Sequence, residues 1–248
     1  MRLLRLLGIV ACAVAALGAT CVRYERDPGV SDEDAQRIKN GIDWAIAYVD
    51  ANFEGSRQAP VVVLMNDEPH ECFGNLGGAF GPTSGFLCLN TSLPSWEFQE
   101  EKTAAHEYVH ALQWEMRCGV LPNWLEEGAA EWIAYEVVID NGRLSRQFVE
   151  AERINRLVDY YPDVIGTLQG GEETTPSTAH SYKLYEFAFD HLVRDKGLLS
   201  YRRYCERVAA GEDWRVAFEA TWGSLADFYE RIDQNVRELE RRPNVPPN

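Results

Sequence analysis

The spacing of apolar and polar residues predicts one long helix and two short strands in the first part of the chain. Ser31 is a suitable N-cap, and acidic residues follow it in the first turn. Apolar residues then recur at helical spacing to about Asn52. Residues 60–65 form an apolar, largely β-branched run between turn residues, which is typical of a buried strand. Residues 85–89 follow a glycine-rich segment and are the second strand candidate.

Helical patterns dominate the rest of the chain. Residues 103–117 contain no Gly or Pro and carry apolar residues at helical spacing, so they predict one helix. A second helix is predicted to begin near Pro122, since Pro is tolerated in the first turn of a helix. Beyond Trp132 the pattern remains helical, with breaks at pairs that contain Gly or Pro. Residues 241–248 contain three prolines and predict a loose tail.

The length and the order of these elements predict an α+β fold. The chain has 248 residues, which is sufficient for one substantial domain or for two small lobes that share a cleft. We expect one domain over residues 22–240. Its N-terminal lobe, residues 22–140, would carry the small sheet and the helix of residues 103–117, and its C-terminal lobe, residues 141–240, would be mainly helical.

The helix predicted over residues 103–117 carries a metal-binding pattern. His106 and His110 are four positions apart and therefore share one face of the helix, where two imidazoles can bind one Zn²⁺. Glu107 lies a step around the helix, within reach of a metal-bound water but outside the ligand set. The simpler alternative is a pair of surface histidines, but an HExxH pattern rarely arises by chance among only five His residues.

The next predicted helix carries two further acidic candidates. Glu127 lies among apolar residues and would complete a set of two His and one carboxylate, with the fourth zinc position left for water. One zinc ion per chain is therefore expected. Glu131 lies one turn beyond Glu127, where it would either accept a hydrogen bond from the outer ring nitrogen of a liganding His or remain a solvated charge.

The chain resembles the gluzincin zinc metallopeptidases, of the thermolysin and M1-aminopeptidase kind, and in particular the short peptidase-MA-like proteins. The resembling residues are His106, Glu107, His110 and residues 124–130, which are similar to the "WLNEGFA" glutamate helix of the family. Glu126 stands where the family has Asn, the linker between the two motifs is somewhat shorter, and no GxMEN segment occurs. Because M1 aminopeptidases use GxMEN to hold a free amino terminus, the resemblance favours an endopeptidase.

The resemblance implies a zincin-like fold and zinc-dependent hydrolysis of peptide bonds, with Glu107 as the general base. In gluzincins an edge strand before the metal helix pairs with the substrate backbone. Ala79 and Phe80, within residues 78–81, stand in this place, and so does the strand of residues 86–89. An unpaired strand edge can bind an extended peptide as an additional strand. An equally simple interpretation is that these residues form a plain hairpin without a role in binding.

A hydrogen-bond donor is expected on the opposite wall of the cleft, because hydrolysis creates an oxyanion. The resemblance points to Tyr182, where related sequences carry a Tyr at the start of a helix in the second lobe. His180 is the alternative donor if its ring is oriented inward. The third alternative is that neither acts and Tyr182 is a packing residue.

The charge of the chain limits its partners. The formal net charge is −15, and no basic stripe is present to neutralise phosphates, so nucleic acid is excluded as a partner. A protein or peptide substrate is expected instead. Two other functions remain open: a zinc-binding module of the cell envelope that has lost catalysis, and a hydrolase of non-peptide substrates that uses the same site. The sequence leaves the oligomeric state open.

Residues 1–21 predict an export signal. Arg2 and Arg5 precede an apolar run that ends in small residues and is short for a membrane anchor, which is the alternative interpretation. Cys21 closes this run as in bacterial lipoprotein signals, so the exported protein would be either free or tethered to a membrane through lipidated Cys21. The expected location is the bacterial periplasm, the envelope surface or the surrounding medium.

Four further cysteines predict two disulfides in an oxidising compartment, because an even number remains once the export signal, which contains Cys12, is removed and Cys21 is set aside. The favoured pairs are Cys72 with Cys88, which closes a glycine-rich loop, and Cys118 with Cys205, which ties the end of the metal helix to a later helix. The other pairings remain open, since spacing alone does not decide between them. A structural zinc site is disfavoured because no CxxC pair occurs.

Overall fold

The computed structural model describes residues 22–53, 59, 61–66, 78–81, 85–91, 99–118, 122–160, 162–173 and 179–241. The predicted export signal with Cys21, the cysteine at position 72 and residues 242–248 of the predicted tail lie outside these ranges. The strands are β1 (Val22–Arg26), β2 (Val61–Asn66), β3 (Gly78–Gly81) and β4 (Phe86–Asn90). The helices are α1 (Asp32–Asn52), α2 (Gln99–Glu115), α3 (Asn123–Asp140), α4 (Arg146–Tyr160), α5 (Val164–Gly170), α6 (Ala179–Lys196), α7 (Leu199–Ala209), α8 (Trp214–Trp222) and α9 (Leu225–Glu240).

The first helix and two of the strands lie where the sequence predicts them, whereas β1 was not predicted. Ser31 caps α1, and its hydroxyl accepts a hydrogen bond of 3.1 Å from the backbone N–H of Asp34. β2 and β4 cover residues 61–66 and 86–90, each one position later than the predicted strands at 60–65 and 85–89. The predicted helix and both predicted strands are therefore confirmed, with small shifts at the ends of the strands.

The sheet has four strands in the order β1-β2-β4-β3. β1, β2 and β4 are parallel, whereas β3 runs antiparallel to β4, with Ala79 opposite Cys88 and Phe80 opposite Leu87. Among the described strands, β3 is therefore an edge strand. This arrangement leaves one side of β3 without a described neighbour in the sheet.

The predicted metal helix is confirmed as α2, although it begins at Gln99 rather than near residue 103. Its end is a Schellman motif, in which Arg117 N–H donates to Trp114 O and Cys118 N–H donates to Gln113 O, both at 3.0 Å. Arg117 adopts a φ of 55°, a left-handed conformation that glycine usually supplies at this position. The helix therefore ends at a residue whose backbone is strained.

A disulfide joins the end of α2 to α7, as predicted. Cys118 follows α2, Cys205 lies in α7, and the two are 87 positions apart in the sequence. Cys88 is also disulfide-bonded. Its predicted partner, Cys72, lies outside the described residues, so that pairing stays a prediction.

Helix α3 lies in the interior and packs against both α2 and α6. Residue Pro122 is its N-cap, and residues on all sides of the helix are buried. At Gly128 the helix comes so close to α6 that an added Cβ would lie 2.3 Å from the carbonyl oxygen of Tyr185. The absence of a side chain at Gly128 therefore sets the distance between the two helices.

The larger hydrophobic cluster extends from Val30, just before α1, to Val236 in α9. The described chain is a mixed α/β fold, mostly helical with a small sheet, which agrees with the predicted α+β class. The division into two lobes stays a prediction. In the described part of the chain, no helix is both long enough and apolar enough to cross a membrane.

Candidate metal centre

Three side chains from two helices converge on one point. His106 and His110 lie one turn apart on α2, and their Nε2 atoms are 3.1 Å apart. The Oε2 atom of Glu127, in the first turns of α3, lies 3.3 Å from each of these nitrogens. Within the described residues, these three form the cluster whose ligand atoms are placed to hold a metal ion.

The spacing of the three atoms fits a tetrahedral zinc site. Bonds of about 2.0–2.1 Å at tetrahedral angles place neighbouring ligand atoms about 3.3–3.4 Å apart. The observed separations are 3.1, 3.3 and 3.3 Å. In addition, Oε2 of Glu127 is buried and has no hydrogen bond of good geometry with the described residues, as expected for an atom that serves as a metal ligand.

The carboxylate of Glu127 and the two imidazoles shift each other's pKa values. Burial alone would raise the pKa of Glu127, but the charge of His110 and the contacts with both imidazoles hold this pKa well below its usual value. Burial alone would lower the pKa of His110, but the Glu127 carboxylate raises it to about 10. A metal ion that binds at this point therefore replaces protons on the imidazoles.

The outer nitrogen of His106 faces a buried carboxylate. Its Nδ1 atom lies 3.3 Å from Oε2 of Glu131, one turn beyond Glu127 on α3. Glu131 is in turn paired with Lys102 at 2.6 Å and with Lys183 at 3.1 Å. Although burial would raise the pKa of Glu131, these two lysines hold it well below its usual value, so the side chain stays ionised. The structure places Glu131 as a buried, paired charge beside His106 rather than on the solvated surface.

The outer nitrogen of His110 faces an amide. Its Nδ1 atom lies 2.7 Å from Oε1 of Gln113, one turn along α2. Gln113 is buried and also contacts the backbone oxygen of Glu126 and the hydroxyl of Tyr201. Each of the two histidines thus has its own polar neighbour on the side away from Glu127.

Glu107 is buried next to the three converging side chains. Burial raises its pKa, while the charges of His106 and His110 act in the opposite direction. Gly78 of β3 lies directly against it, because an added Cβ at Gly78 would be 2.7 Å from Cγ of Glu107. The edge strand and the predicted general base are therefore in contact.

Tyr182 lies near His106, with its ring centroid 6.0 Å from that of the imidazole. Burial, followed by the charges of Glu127 and Glu107, raises the pKa of the phenol, which therefore keeps its proton at neutral pH. His180, the alternative donor, lies in the first turn of α6, and its side chain is outside the described part of the chain.

The residues predicted to bind substrate lie in the edge strand. Ala79 and Phe80 are central residues of β3, and both are partly buried. The Phe80 side chain packs against the main hydrophobic cluster. The predicted contact of these residues with a substrate backbone stays a prediction.

Several residues around the centre were not identified from the sequence. They are Lys102, Gln113 and Lys183. Gly78 lies within the segment 78–81 that was predicted to pair with substrate, but its contact with Glu107 was not predicted. Gln113 follows His110 by one helical turn on a buried face. An amide at that spacing can contact the outer ring nitrogen of the histidine, so the sequence contained an indication of this role. Lys183 stands among apolar and aromatic residues, which is unusual for a lysine unless it is paired. Nothing in the local sequence indicates that Gly78 contacts Glu107.

Comparison with known proteins gives only distant similarities. The fold is similar to a variant of a two-domain M1 zinc metallopeptidase bound to L-tryptophan, with 14% sequence identity, a TM-score of 0.48, and coverage of 91% of this chain and 49% of that chain. It is also similar to a variant of an M1 zinc metallopeptidase from Deinococcus radiodurans, with 14% identity, a TM-score of 0.47, and coverage of 90% and 48%. The chain thus spans about half the length of these solved structures. No protein-family model and no curated protein matches the sequence.

Proposed function

We propose that this protein is a zinc-dependent peptidase that binds one zinc ion through His106, His110 and Glu127. The observation that carries the proposal is the convergence of two imidazole Nε2 atoms and Glu127 Oε2, at separations of 3.1–3.3 Å, next to the buried carboxyl of Glu107. When bound, zinc would supply Lewis acidity, which makes a water molecule more acidic and a peptide carbonyl more electrophilic. The residues around it would move the protons and bind the substrate.

Glu107 is the general base in this proposal. Its carboxylate accepts a proton from the attacking water and passes it to the nitrogen of the leaving amine. Because burial raises its pKa, Glu107 holds a transferred proton better than an exposed glutamate does. This suits a group that takes up a proton in one step and releases it in the next.

Tyr182 is the proposed donor to the oxyanion that forms when water adds to the peptide carbonyl. Its raised pKa keeps the phenol protonated, and a protonated phenol donates a hydrogen bond. The ring lies beside His106, with 6.0 Å between the centroids. Tyr182 and Glu107 would act on the same peptide bond, Tyr182 by donating a hydrogen bond to the carbonyl oxygen and Glu107 by moving a proton from water to the leaving nitrogen.

The proposed substrate is an extended stretch of protein or peptide, cleaved internally. β3 is an edge among the described strands, and it contacts Glu107 through Gly78, so a peptide added along this edge would pass beside the general base. The sequence has no GxMEN segment of the kind that holds a free amino terminus. We therefore propose an endopeptidase with its cleft between the sheet-bearing lobe and the helical lobe.

The proposed site of action is outside the bacterial cytoplasm, with Cys21 as the candidate for lipidation. The disulfide between Cys118 and Cys205 supports export, because such bonds persist in oxidising compartments. The net charge of −15 is consistent with a protein substrate rather than nucleic acid.

The first experiment is the metal content of the purified protein, measured beside its cleavage of a mixed unfolded-protein substrate, for wild type and Glu107→Gln. We expect one zinc per chain in both proteins and cleavage by the wild type only, because the amide that replaces the carboxylate has nearly the same shape but cannot accept the proton. Glu115→Gln, at the exposed end of the same helix, is the matched control and should cleave normally.

Each alternative outcome has a distinct meaning. Cleavage by Glu107→Gln would remove Glu107 from the mechanism. Zinc in both proteins without cleavage in either would favour a metal-binding module or a hydrolase of another substrate class. Absence of zinc from the wild type would refute the assignment of the three ligands.

A further inference from the structure

We propose that Gln113 is a positioning residue that fixes the tautomer of His110 and directs the Nε2 lone pair of this imidazole toward the metal. The proposal rests on the metal site of the proposed function, and it adds a residue outside the ligand set that controls affinity for the ion. It is argued from the hydrogen bonds of one buried amide.

The orientation of the Gln113 amide is determined by its neighbours. Its Nε2 atom lies 2.8 Å from the backbone oxygen of Glu126 and 2.9 Å from the hydroxyl oxygen of Tyr201. A backbone carbonyl oxygen can only accept a hydrogen bond, so the amide NH₂ group must face Glu126. The reversed amide would place two acceptor oxygens against each other, which is unfavourable in a buried site.

This orientation leaves the amide oxygen of Gln113 facing His110. Oε1 lies 2.7 Å from Nδ1 of His110, and an amide oxygen can only accept a hydrogen bond. Nδ1 of His110 must therefore carry a hydrogen. In the neutral imidazole the lone pair is then on Nε2, the atom that lies 3.3 Å from Glu127 Oε2.

Glu126 is the other candidate for this role, since it precedes the metal ligand in the sequence. Its carboxylate oxygen lies 3.8 Å from Nδ1 of His110, which is beyond hydrogen-bond distance. The Gln113 oxygen is closer by about an ångström, and only 2% of the residue is exposed, so water does not compete for the contact. The geometry therefore favours Gln113 over Glu126 as the partner of His110.

Gln113 is itself held in place by three parts of the fold. Its side chain bonds to the first turn of α3 at Glu126 and to α7 at Tyr201. Its backbone oxygen accepts a hydrogen bond from Cys118, whose disulfide partner Cys205 lies one turn after Tyr201 on α7. The amide therefore has little freedom to turn away from His110.

Gln113 could orient His110, or it could only stabilise the fold. Two variants of the full-length protein separate these two roles. Gln113→Met fills the same space but removes both the amide donor and the amide acceptor. Gln113→Glu also removes the donor to Glu126, but its carboxylate still accepts a hydrogen bond from Nδ1 of His110. The zinc dissociation constant is measured by competition with a chromogenic chelator, and the unfolding of the metal-free protein is measured in urea.

We expect both variants to unfold at lower urea concentration than wild type, because both lack the amide group that donates to the Glu126 oxygen and the Tyr201 hydroxyl. Only Gln113→Met should lose zinc affinity, by roughly 10- to 100-fold, since loss of such an outer partner typically weakens a metal site by this factor. Gln113→Glu should bind zinc within a few-fold of wild type or more tightly. The control is Gln147→Met, at an exposed glutamine of α4, which should change neither quantity.

The proposal is overturned if Gln113→Met binds zinc as tightly as wild type. It is also overturned if the two variants lose affinity equally, because Gln113 would then act only through stability. If the wild type itself binds no zinc, the proposed function fails, and this outcome is distinct from both of the others.

Discussion

His106 and His110 are held by partners of different chemistry, although both histidines come from the same motif. His106 faces the carboxylate of Glu131, which two lysines keep ionised, whereas His110 faces the neutral amide of Gln113. A carboxylate raises the basicity of the imidazole it contacts more than an amide does. We therefore expect the two imidazoles to bind a metal ion with unequal strength.

Substitution of Gly78 tests how Glu107 is positioned. In Gly78→Ala the new methyl group would lie 2.7 Å from Cγ of Glu107 and 2.9 Å from Leu89, so Glu107, the proposed general base, must shift. A displacement approaching 1 Å in a catalytic group lowers turnover by up to about 100-fold. We expect kcat for cleavage of an unfolded protein to fall by roughly 10- to 100-fold with full zinc content.

The matched control for this change is Gly170→Ala in α5, where an added Cβ meets no atom within 4 Å. It should leave kcat unchanged. Normal turnover by Gly78→Ala would show that β3 yields to the methyl group and that the strand does not position Glu107.

Three helices carry the residues assigned to the candidate centre: α2 carries His106, Glu107 and His110, α3 carries Glu127, and α6 carries Tyr182, the proposed oxyanion donor. The sequence predicted the contributions of α2 and α3 because those residues are close in the chain and their spacing follows the helical repeat. It did not predict Lys102 and Lys183 as partners of Glu131, since their contacts depend on how the helices pack. Helix spacing itself depends on Gly128, whose contact with Tyr185 leaves no pattern in the sequence.

The end of α2 allows a prediction about stability. Arg117 is exposed and has a φ of 55°, a conformation that disfavours any residue with a Cβ. Arg117→Gly should therefore raise the free energy of unfolding by about 0.5–1 kcal/mol, even after the greater flexibility of glycine in the unfolded chain. Urea unfolding of the purified protein measures this change.

Arg203→Gly, at an exposed position within α7, is the comparison, and it should lower the free energy of unfolding by about 1 kcal/mol because glycine is unfavourable inside a helix. If Arg117→Gly is destabilising as well, the left-handed conformation is not a source of strain.

A buried set of charges links the candidate metal centre to helices α4 and α6. Lys183 contacts Glu131 at 3.1 Å and Glu186 at 3.4 Å, and Arg153 of α4 contacts Glu186 at 2.7 Å. Removing one member of such a buried set leaves an unpaired charge, which is strongly destabilising. The overall fold class was predictable from apolar spacing, but this set joins α3, α4 and α6 and arises only when the tertiary structure forms.

The disulfide between Cys118 and Cys205 gives a prediction at the same scale. It links residues 87 positions apart, and a crosslink of that length restricts the unfolded chain strongly. Replacing both cysteines with serine should lower the free energy of unfolding by about 2–5 kcal/mol. Urea unfolding without reductant measures the difference, and equal stability of the two proteins would show that the crosslink contributes nothing.

The same bond separates the residues of the candidate metal centre into two groups along the chain. Glu127 and Tyr182 lie within the loop, residues 118–205, that the disulfide closes. His106, Glu107 and His110 precede this loop in the sequence. In a reducing cytoplasm the disulfide does not form, and the two groups lack this covalent link. The covalent link between the two groups would therefore form only after the chain reached an oxidising compartment, such as the one proposed for it.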